Sequence, residues 1–400
     1  MTTALEPRGL DGKLVDADNH YYESSDCFSR HIERRFADKA VTASRTPDGE
    51  WEVRVGDVPF DFFDPKFDKT NPPGSLLEVL RAKDASPTFK WGDSYSAENM
   101  LPAFQRRDAR LALMDEQGIE ASVLLPTFGI SVEEYMVGDP EQLYANLRSF
   151  NRWLEEEWGY ADGRIFAPPL LSLVDLDLAV EELDRVLAAG ARMIHLRPGP
   201  IGNGRSPADP HYDPFWSRVD DAGIPVAFHI ADSRYPDVSL AWGEAPSPPV
   251  REMSAFQWAF VHGDRPIMET FGALIYGNMF GRFPNLRCIS IENGSDWVPY
   301  LLKVLDKKKG MGRYGPWIGG RPSGRPSDTF KQHCFVSPYA EDDVGALIDC
   351  IGASQVLFGS DYPHPEGLAE PSRFLRLLDG RSETEVLQVM RDNSAKLLGI

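Results

Sequence analysis

Cysteine is scarce and scattered. The 400-residue chain has four, Cys27, Cys288, Cys334 and Cys350, with no CxxC and no short spacing. That argues against a disulfide framework or a zinc knuckle and fits reduced thiols. Positive charge is also in short supply. The chain has 42 Lys and Arg against 61 Asp and Glu, a formal net charge of −19. A balance of that sign argues against nucleic acid or an anionic membrane surface as the main partner. No apolar run is long enough for a membrane-spanning helix, and residues 1–12 hold no apolar core of a secretory signal. The expected setting is therefore cytoplasmic. No internal repeat is present. A glycine-rich GxGxxG turn is missing after the first apolar run, which leads instead into DNHYYE. That disfavours a dinucleotide-binding fold.

What the chain does have is rhythm. The runs read as strands are 13–17 (KLVDA), 121–126 (ASVLLP), 165–171 (IFAPPLL), 192–196 (RMIHL), 225–230 (PVAFHI), 286–291 (LRCISI), 334–337 (CFVS) and 355–359 (QVLFG). Helical spacing of apolar residues recurs at 100–117, 141–159, 176–189, 213–222, 267–283, 298–308, 343–351 and 383–398. The segment 176–189 carries its own punctuation, with Asp175 as N-cap and Gly190 as stop. Strands alternating with helices predict an α/β fold, and eight such units predict a (β/α)8 TIM barrel. The length alone allows two or three domains. The rhythm predicts instead that residues 1–400 form a single barrel domain enlarged by insertions. The largest insertion follows strand one, at 28–99, and is aromatic and rich in Pro and Asp. Its turn signal TPDGE at 46–50 and its runs 51–55 and 58–63 predict a hairpin. A connection of that length reads as a lid or an oligomer element. Shorter Pro- or Gly-rich insertions fall at 232–253 and 309–331.

Chemistry-bearing residues cluster where the runs end. On strand one, side-chain alternation turns Asp16, Asp18 and His20 to the same side. A carboxylate and an imidazole two residues apart suit a first-row divalent metal. His229 ends the apolar run PVAFHI; such a histidine is ordinarily a hydrogen-bonded core residue, but the C-terminal ends of barrel strands are where barrel enzymes work. Asp361 follows strand eight directly, in GSDYPH, and His364 lies three residues on. Asp361 can ligate a metal or accept a proton, and an N-cap is its simpler role. Arg197, in HLRPGP, is placed to clamp a substrate carboxylate or to pair with a neighbouring acid. His262, in VHGDRP, is a candidate for leaning into the mouth beside a substrate. Tyr21, Tyr22 and Trp297 are candidate pocket aromatics, and Glu23 a support for a metal ligand.

The ordered set VDADNHYYE (15–23), HLRPGP (195–200), the His229 run, RFPNLR (282–287), LFGSDYPHPEG (357–367) and DNSAKLLGI (392–400) resembles the amidohydrolase superfamily. The similar branch is the amidohydrolase-related one, family 2, which holds aminocarboxymuconate-semialdehyde decarboxylase and the resorcylate-type decarboxylases. The resemblance implies a barrel with a divalent metal ion at its mouth, held by Asp18, His20, His229 and Asp361. The family's best-known form has His-x-His on strand one; Asp18 in the first place makes the site harder and shifts it from Zn toward Mn or Fe. Many members have a histidine after strand six, where this chain has Glu292. Glu292 and Asp361 are thus the implied acid/base pair, with Arg197, His364 and His262 as substrate-binding candidates. One metal ion is expected, and the carboxylate count would accommodate two. With that histidine replaced, the expected activity is a metal-dependent hydrolase. It would act on a small carboxylate-bearing or cyclic substrate through metal-activated water. The alternatives are a decarboxylase of an aromatic or unsaturated acid, redox chemistry at a dinuclear Mn/Fe centre, and a non-catalytic partner subunit on the same fold. The resemblance also implies a homo-oligomer.

Overall fold

A computed structural model of the chain describes residue 10 and residues 13–77, 95–233 and 235–400. Eight short parallel strands close into a ring. The first, Leu14–Tyr21, pairs with the second, Ile119–Pro126, which pairs with Ile165–Phe166. The third strand resumes at Leu170–Leu171 because Pro168 and Pro169 have no N–H to give to the ladder. It then pairs in turn to Ile194–Leu196, Val226–His229, Cys288–Ile291 and Cys334–Val336. The eighth segment, expected at 355–359, forms a bridge only at Val356, yet it completes the ring. Leu357 N–H donates to Val336 O at 2.9 Å on one side, and Ala17 N–H donates to Phe358 O at 2.8 Å on the other. Gly359 is required there, since a Cβ would collide with Asp18 Cβ and Ser337 Oγ.

Alternation sorts the strand residues into two cores. Val15, Ala17, Val123, Phe166, Met193, Ala227, Ile289 and Leu357 fill the barrel, while their neighbours face the surrounding helices. The helices form where the apolar spacing placed them. Leu176–Ala188 starts from Asp175, whose carboxylate accepts from Leu178 N–H at 3.0 Å. Two expected helices are shorter than their patterns. The 100–117 segment turns through 3-10 geometry at Pro102–Phe104 before the helix Arg107–Gln117. The 267–283 segment breaks at Asn278, whose φ of 54° is left-handed, into Arg265–Tyr276 and Met279–Arg282. None of the described helices is long and apolar enough to cross a membrane.

The large insertion contains more sheet than expected. Val41–Arg45, Trp51–Val55 and Val58–Pro59 form a three-stranded antiparallel sheet, and the TPDGE turn joins its first two strands. The arm expected to run to residue 63 ends at Pro59. Part of this insertion, 78–94, lies outside the described residues. Beyond the sheet it is tied to the barrel mouth. Gly74 N–H donates to His364 O at 3.1 Å and Leu76 N–H to Pro365 O at 2.7 Å.

A buried arginine fastens the end of the first strand. Arg110, on the inner face of Arg107–Gln117, is 1 % exposed. Its guanidinium donates to Asn19 Oδ1, to the carbonyl of His20 and, at 2.7 Å, to Ala103 O. Burial lowers it only to about 10, so it stays charged at neutral pH. Arg110→Met strands three buried acceptors. The expected loss is about 3 kcal/mol or more of unfolding free energy, measurable as a lowered urea midpoint at unchanged m-value.

Candidate metal centre

The first strand does not keep strict alternation, and that decides the site. Asp16 pairs with Ser122 while Asn19 pairs with Leu124, so three steps on one strand match two on the other. This bulge re-aims the side chains beyond it. Asp18 and His20 face the mouth together. Asp16, expected beside them, instead closes the bulge: it accepts from Asp18 N–H at 3.1 Å, Asn19 Nδ2 at 3.0 Å, Ser360 N–H at 3.0 Å and Ser360 Oγ at 2.5 Å. Burial pushes its carboxyl up to about 6 against those donors.

Four strands deliver side chains to one point. His20 Nε2 lies 3.2 Å from Asp18 Oδ1, 3.3 Å from Glu292 Oε2 and 3.3 Å from Asp361 Oδ1. His229 Nε2 is 2.8 Å from Glu292 Oε2 and 3.4 Å from His20 Nε2. His364 Nδ1 is 2.7 Å from Asp361 Oδ1, and its ring stacks on that of His20 with centroids 3.9 Å apart. Glu292 and Asp361 each sit just past a strand at left-handed φ, 53° and 54°. That conformation is uncommon outside glycine and points to a functional constraint. Tyr339 Oη–H fixes the first by donating to Glu292 O at 2.9 Å. The carbonyl of Asp18 fixes the second, accepting from Ser360 N–H at 3.1 Å and Asp361 N–H at 2.7 Å.

The donor set fits a divalent cation. Asp18, His20, His229 and Glu292 offer ligand atoms within 4.8 Å of one another, and so do His20, Glu292, Asp361 and His364. Asp18 Oδ1, Glu292 Oε2 and Asp361 Oδ1 are buried without a hydrogen-bond donor, a costly state unless a positive charge meets them. The tautomers agree. His229 Nδ1 donates to Ile230 O at 2.7 Å, so a neutral ring turns its Nε2 lone pair toward Glu292. Thr127 Oγ1–H donates to Tyr21 O at 2.8 Å, so His364 Nε2 is the donor in its 3.0 Å bond to Thr127 and its Nδ1 lone pair faces Asp361. The pKa directions express the same demand. Burial alone would lower His20, but the carboxylates of Asp18 and Glu292 hold it at about 10. Burial raises Asp361 well above the carboxylate range, and the charges of Glu292, Glu366 and Asp18 add to it. Burial works on Glu292 in the same sense, but His229 and His20, as positively charged donors, would overcome it and keep that carboxylate ionised; a bound cation would supply that charge instead and leave His229 its Nε2 lone pair.

The amidohydrolase family model matches residues 15–400. The chain belongs to that family.

This amidohydrolase is 28 % identical over 275 residues to gamma-resorcylate decarboxylase of Rhizobium sp. strain MTP-10005, covering 64 % of this chain and 76 % of the relative. It is 25 % identical over 311 residues to the enzyme of that name from Rhodococcus jostii, covering 73 % and 87 %. A solved amidohydrolase from Mycobacterium avium subsp. paratuberculosis superposes with a TM-score of 0.87 at 37 % identity, over 96 % of this chain and 99 % of that one. The manganese-bound 5-carboxyvanillate decarboxylase of Novosphingobium aromaticivorans shares the fold at a TM-score of 0.63 and 17 % identity, over the whole of both chains.

Of the residues singled out from the sequence, the structure brings together Asp18, His20, His229, Glu292, Asp361 and His364. The last, expected as a substrate contact, stands among the ligand-capable groups. Arg197 is held elsewhere, 3.1 Å from Glu134 and bonded to the carbonyls of Asp232 and Pro200. His262 closes the short helix Ala255–Phe260 through its N–H to Gln257 O at 2.8 Å and is not in the cluster. Glu23 binds the N–H groups of Phe128 and Gly129 at 2.9 and 2.7 Å rather than a ligand histidine. Tyr21 turns outward onto Trp158, and Trp297 backs the Glu292 turn through Asn293 O and Gly294 O. Tyr22 does reach the mouth, with its ring edge-on to His364 at 5.9 Å. Sequence reasoning missed Arg110, Thr127 and Tyr339. Only Arg110 left a signal there, as a cation on the apolar stripe of its helix.

Metal content of the purified, reconstituted protein measured by mass spectrometry is expected near one ion per chain. His229→Ala and Glu292→Gln should each weaken metal affinity by roughly a hundredfold or more, since removing even a supporting group of such a site costs about 10- to 100-fold.

Proposed function

We propose that this amidohydrolase is a metal-dependent carboxy-lyase that removes CO2 from a small aromatic acid. The observation that carries the reading is Asp361. It is a largely buried carboxyl, its side chain 14 % exposed, held at the edge of a divalent-cation donor set, 2.7 Å from His364, in a chain whose relatives over about two thirds of its length are decarboxylases. The hydrolytic reading favoured by the sequence rested on Glu292 replacing a histidine; the curated relatives named above are decarboxylases, and the Mycobacterium avium structure is named only as an amidohydrolase. The manganese in related decarboxylase structures supports Mn over Zn here, in keeping with a carboxylate-rich donor set.

Asp18, His20, His229 and Glu292 would hold the ion. When bound, it supplies Lewis acidity that draws in and orients a substrate carboxylate. The chain's own residues supply the rest. The ionised Glu292 and the protonated Asp361 are two carboxyl groups whose surroundings push them apart, which assigns the acid role to Asp361. Asp361 gives its proton to the ring carbon that bears the carboxylate. The bond from that carbon to CO2 then breaks, and its electron pair returns to the ring. His364, oriented by Thr127, turns its Nδ1 lone pair to Asp361, accepts the hydrogen bond of the protonated carboxyl and holds that acid in place. Tyr22 forms one apolar wall. The described part of the insertion, through Gly74 and Leu76, braces the loop carrying Asp361 and His364.

Mn-loaded protein incubated with 2,6-dihydroxybenzoate, 5-carboxyvanillate and a panel of aryl esters and lactones is expected to release CO2 from an aromatic acid. Ester or lactone cleavage with no CO2 from any acid would overturn the reading. Asp361→Asn should lower the rate of CO2 release by about 10²- to 10⁴-fold, the usual share of a general acid.

A further inference from the structure

Two insertions meet at the barrel mouth. One follows the first strand and the other the fifth, and in a closed ring of eight those strands stand opposite each other. The metal centre draws on both, since His20 comes from the first strand and His229 ends the fifth. Phe62 O, from the first insertion, accepts Val250 N–H, from the second, at 2.8 Å. Asp64 pairs with Arg251 beside it at 2.7 Å. Among the described residues these two are the polar contacts that join the insertions.

The two sides are held unequally. On the first side, residues 60–76 are tied down along their length. Phe60, Phe63 and Phe67 pack against Phe128, which follows the second strand, with ring centroids 5.2, 6.4 and 5.9 Å away. The Tyr135 hydroxyl accepts the N–H groups of Asp61 and Phe62 at 3.0 and 3.1 Å. Thr70 Oγ1 lies 2.7 Å from Tyr22 Oη, and Gly74 and Leu76 bond the loop after the eighth strand. This segment is a fixed strap.

The arm after the fifth strand is knitted to itself instead. It carries the short helices Pro236–Ala241 and Ala255–Phe260. The second helix is inside out, for its buried side chain is Gln257 while Trp258 and Phe260 are exposed. Gln257 Nε2 donates to Ala245 O at 2.8 Å, and Gln257 completes a capping box with Ser254. Trp242, 70 % exposed, and Phe260, 63 % exposed, flank Phe256 with ring centroids 5.5 and 5.3 Å away. The arm is thus cohesive, yet these large apolar side chains face water rather than the barrel. A segment with so little apolar surface committed to the body opens at low cost. Its end turns on Gly263, whose φ of 46° is left-handed and where a Cβ would collide with Trp258 O.

We infer that the arm is a gate latched to this strap, and that it swings away from Phe62 and Asp64 to let small molecules reach and leave the metal centre. The latch is one backbone hydrogen bond and one ion pair whose partners are 60 and 65 % exposed. Water and salt weaken a pair that open. The latch therefore releases without disturbing the residues of the centre, which stand on the strand ends and the braced eighth-strand loop. Gating of this kind concerns access, so it holds for carboxy-lyase and hydrolase chemistry alike.

A reversible cross-link across the latch tests this. Full-length Asp64→Cys/Arg251→Cys protein, in a Cys350→Ser background and loaded with Mn2+, is bridged by a short bis-methanethiosulfonate reagent and later released by a phosphine reductant. The probe is pyridine-2,6-dicarboxylate, a small aromatic chelator, and the reading is the rate at which it removes Mn2+. That rate needs no substrate, so its outcome is separate from that of the CO2 assay. Extraction from the bridged protein is expected to be slower by about tenfold or more and to recover on reduction. Arg251→Ala, without any cross-link, should speed extraction by about threefold, the share of an exposed ion pair, at unchanged melting temperature and metal content. Equal extraction rates before and after reduction overturn the inference, as does failure of the reagent to bridge the pair. An Arg251→Ala protein that gives up its metal at the parent rate overturns the latch.

Discussion

The architecture depends on a concentration of buried negative charge around one imidazole. Asp18, Glu292 and Asp361 converge within 3.3 Å of His20 Nε2 and leave carboxylate oxygens without a donor. Burying such groups is tolerable only where positive charge is supplied. His20, held protonated to about 10, expresses that demand in the protein's own side chains, and a divalent cation meets it more fully. The left-handed turns at Glu292 and Asp361 exist to bring these oxygens in. Each is restrained from outside the cluster, by the Tyr339 hydroxyl and by the Asp18 carbonyl.

The closure of the barrel and the assembly of the site are one event. The eighth segment has almost no ladder of its own, and what holds it to the first strand is polar. Asp16 grips both the N–H and the hydroxyl of Ser360, while Asp18 O accepts the N–H groups of Ser360 and Asp361. The contacts that complete the ring therefore also set the loop bearing Asp361 and His364. Arg110 works from behind the same strand, on Asn19 and His20. The insertion extends the arrangement outward, since Gly74 and Leu76 bond the backbone of His364 and Pro365. Insertion, loop and donors are linked through these backbone bonds, as a preorganised electrostatic site requires.

Much of this was legible in the chain itself. Strand and helix periods identified the eight units to within a few residues, because burial on one or both faces writes a period of 2.0 or 3.6 into the sequence. Asp18, His20, His229, Glu292 and Asp361 were legible from their positions at strand ends together with the family resemblance. The errors have two causes. Asp16 was misassigned because alternation was carried through a bulge, and a bulge depends on the partner strand; Tyr21 was read as a mouth aromatic from its place in the motif, although alternation from His20 turns it outward. Trp297 and Glu23 were read as mouth residues from sequence proximity, yet each spends its polar atoms on nearby backbone groups.

The sequence by itself determined the barrel, the negative charge balance and the inventory of ligand-capable residues, since composition and periodicity are local properties of the chain. Only the tertiary structure decided which of those residues meet. The register slip at Asp16–Asn19, the left-handed turns, the tautomers of His229 and His364 and the pairing of Arg197 with Glu134 each depend on groups far away in sequence. Bringing acidic side chains from the first, sixth and eighth strands to one point is stabilised by no single segment. It is stabilised by closing the ring and by the positive charge that the closed ring surrounds.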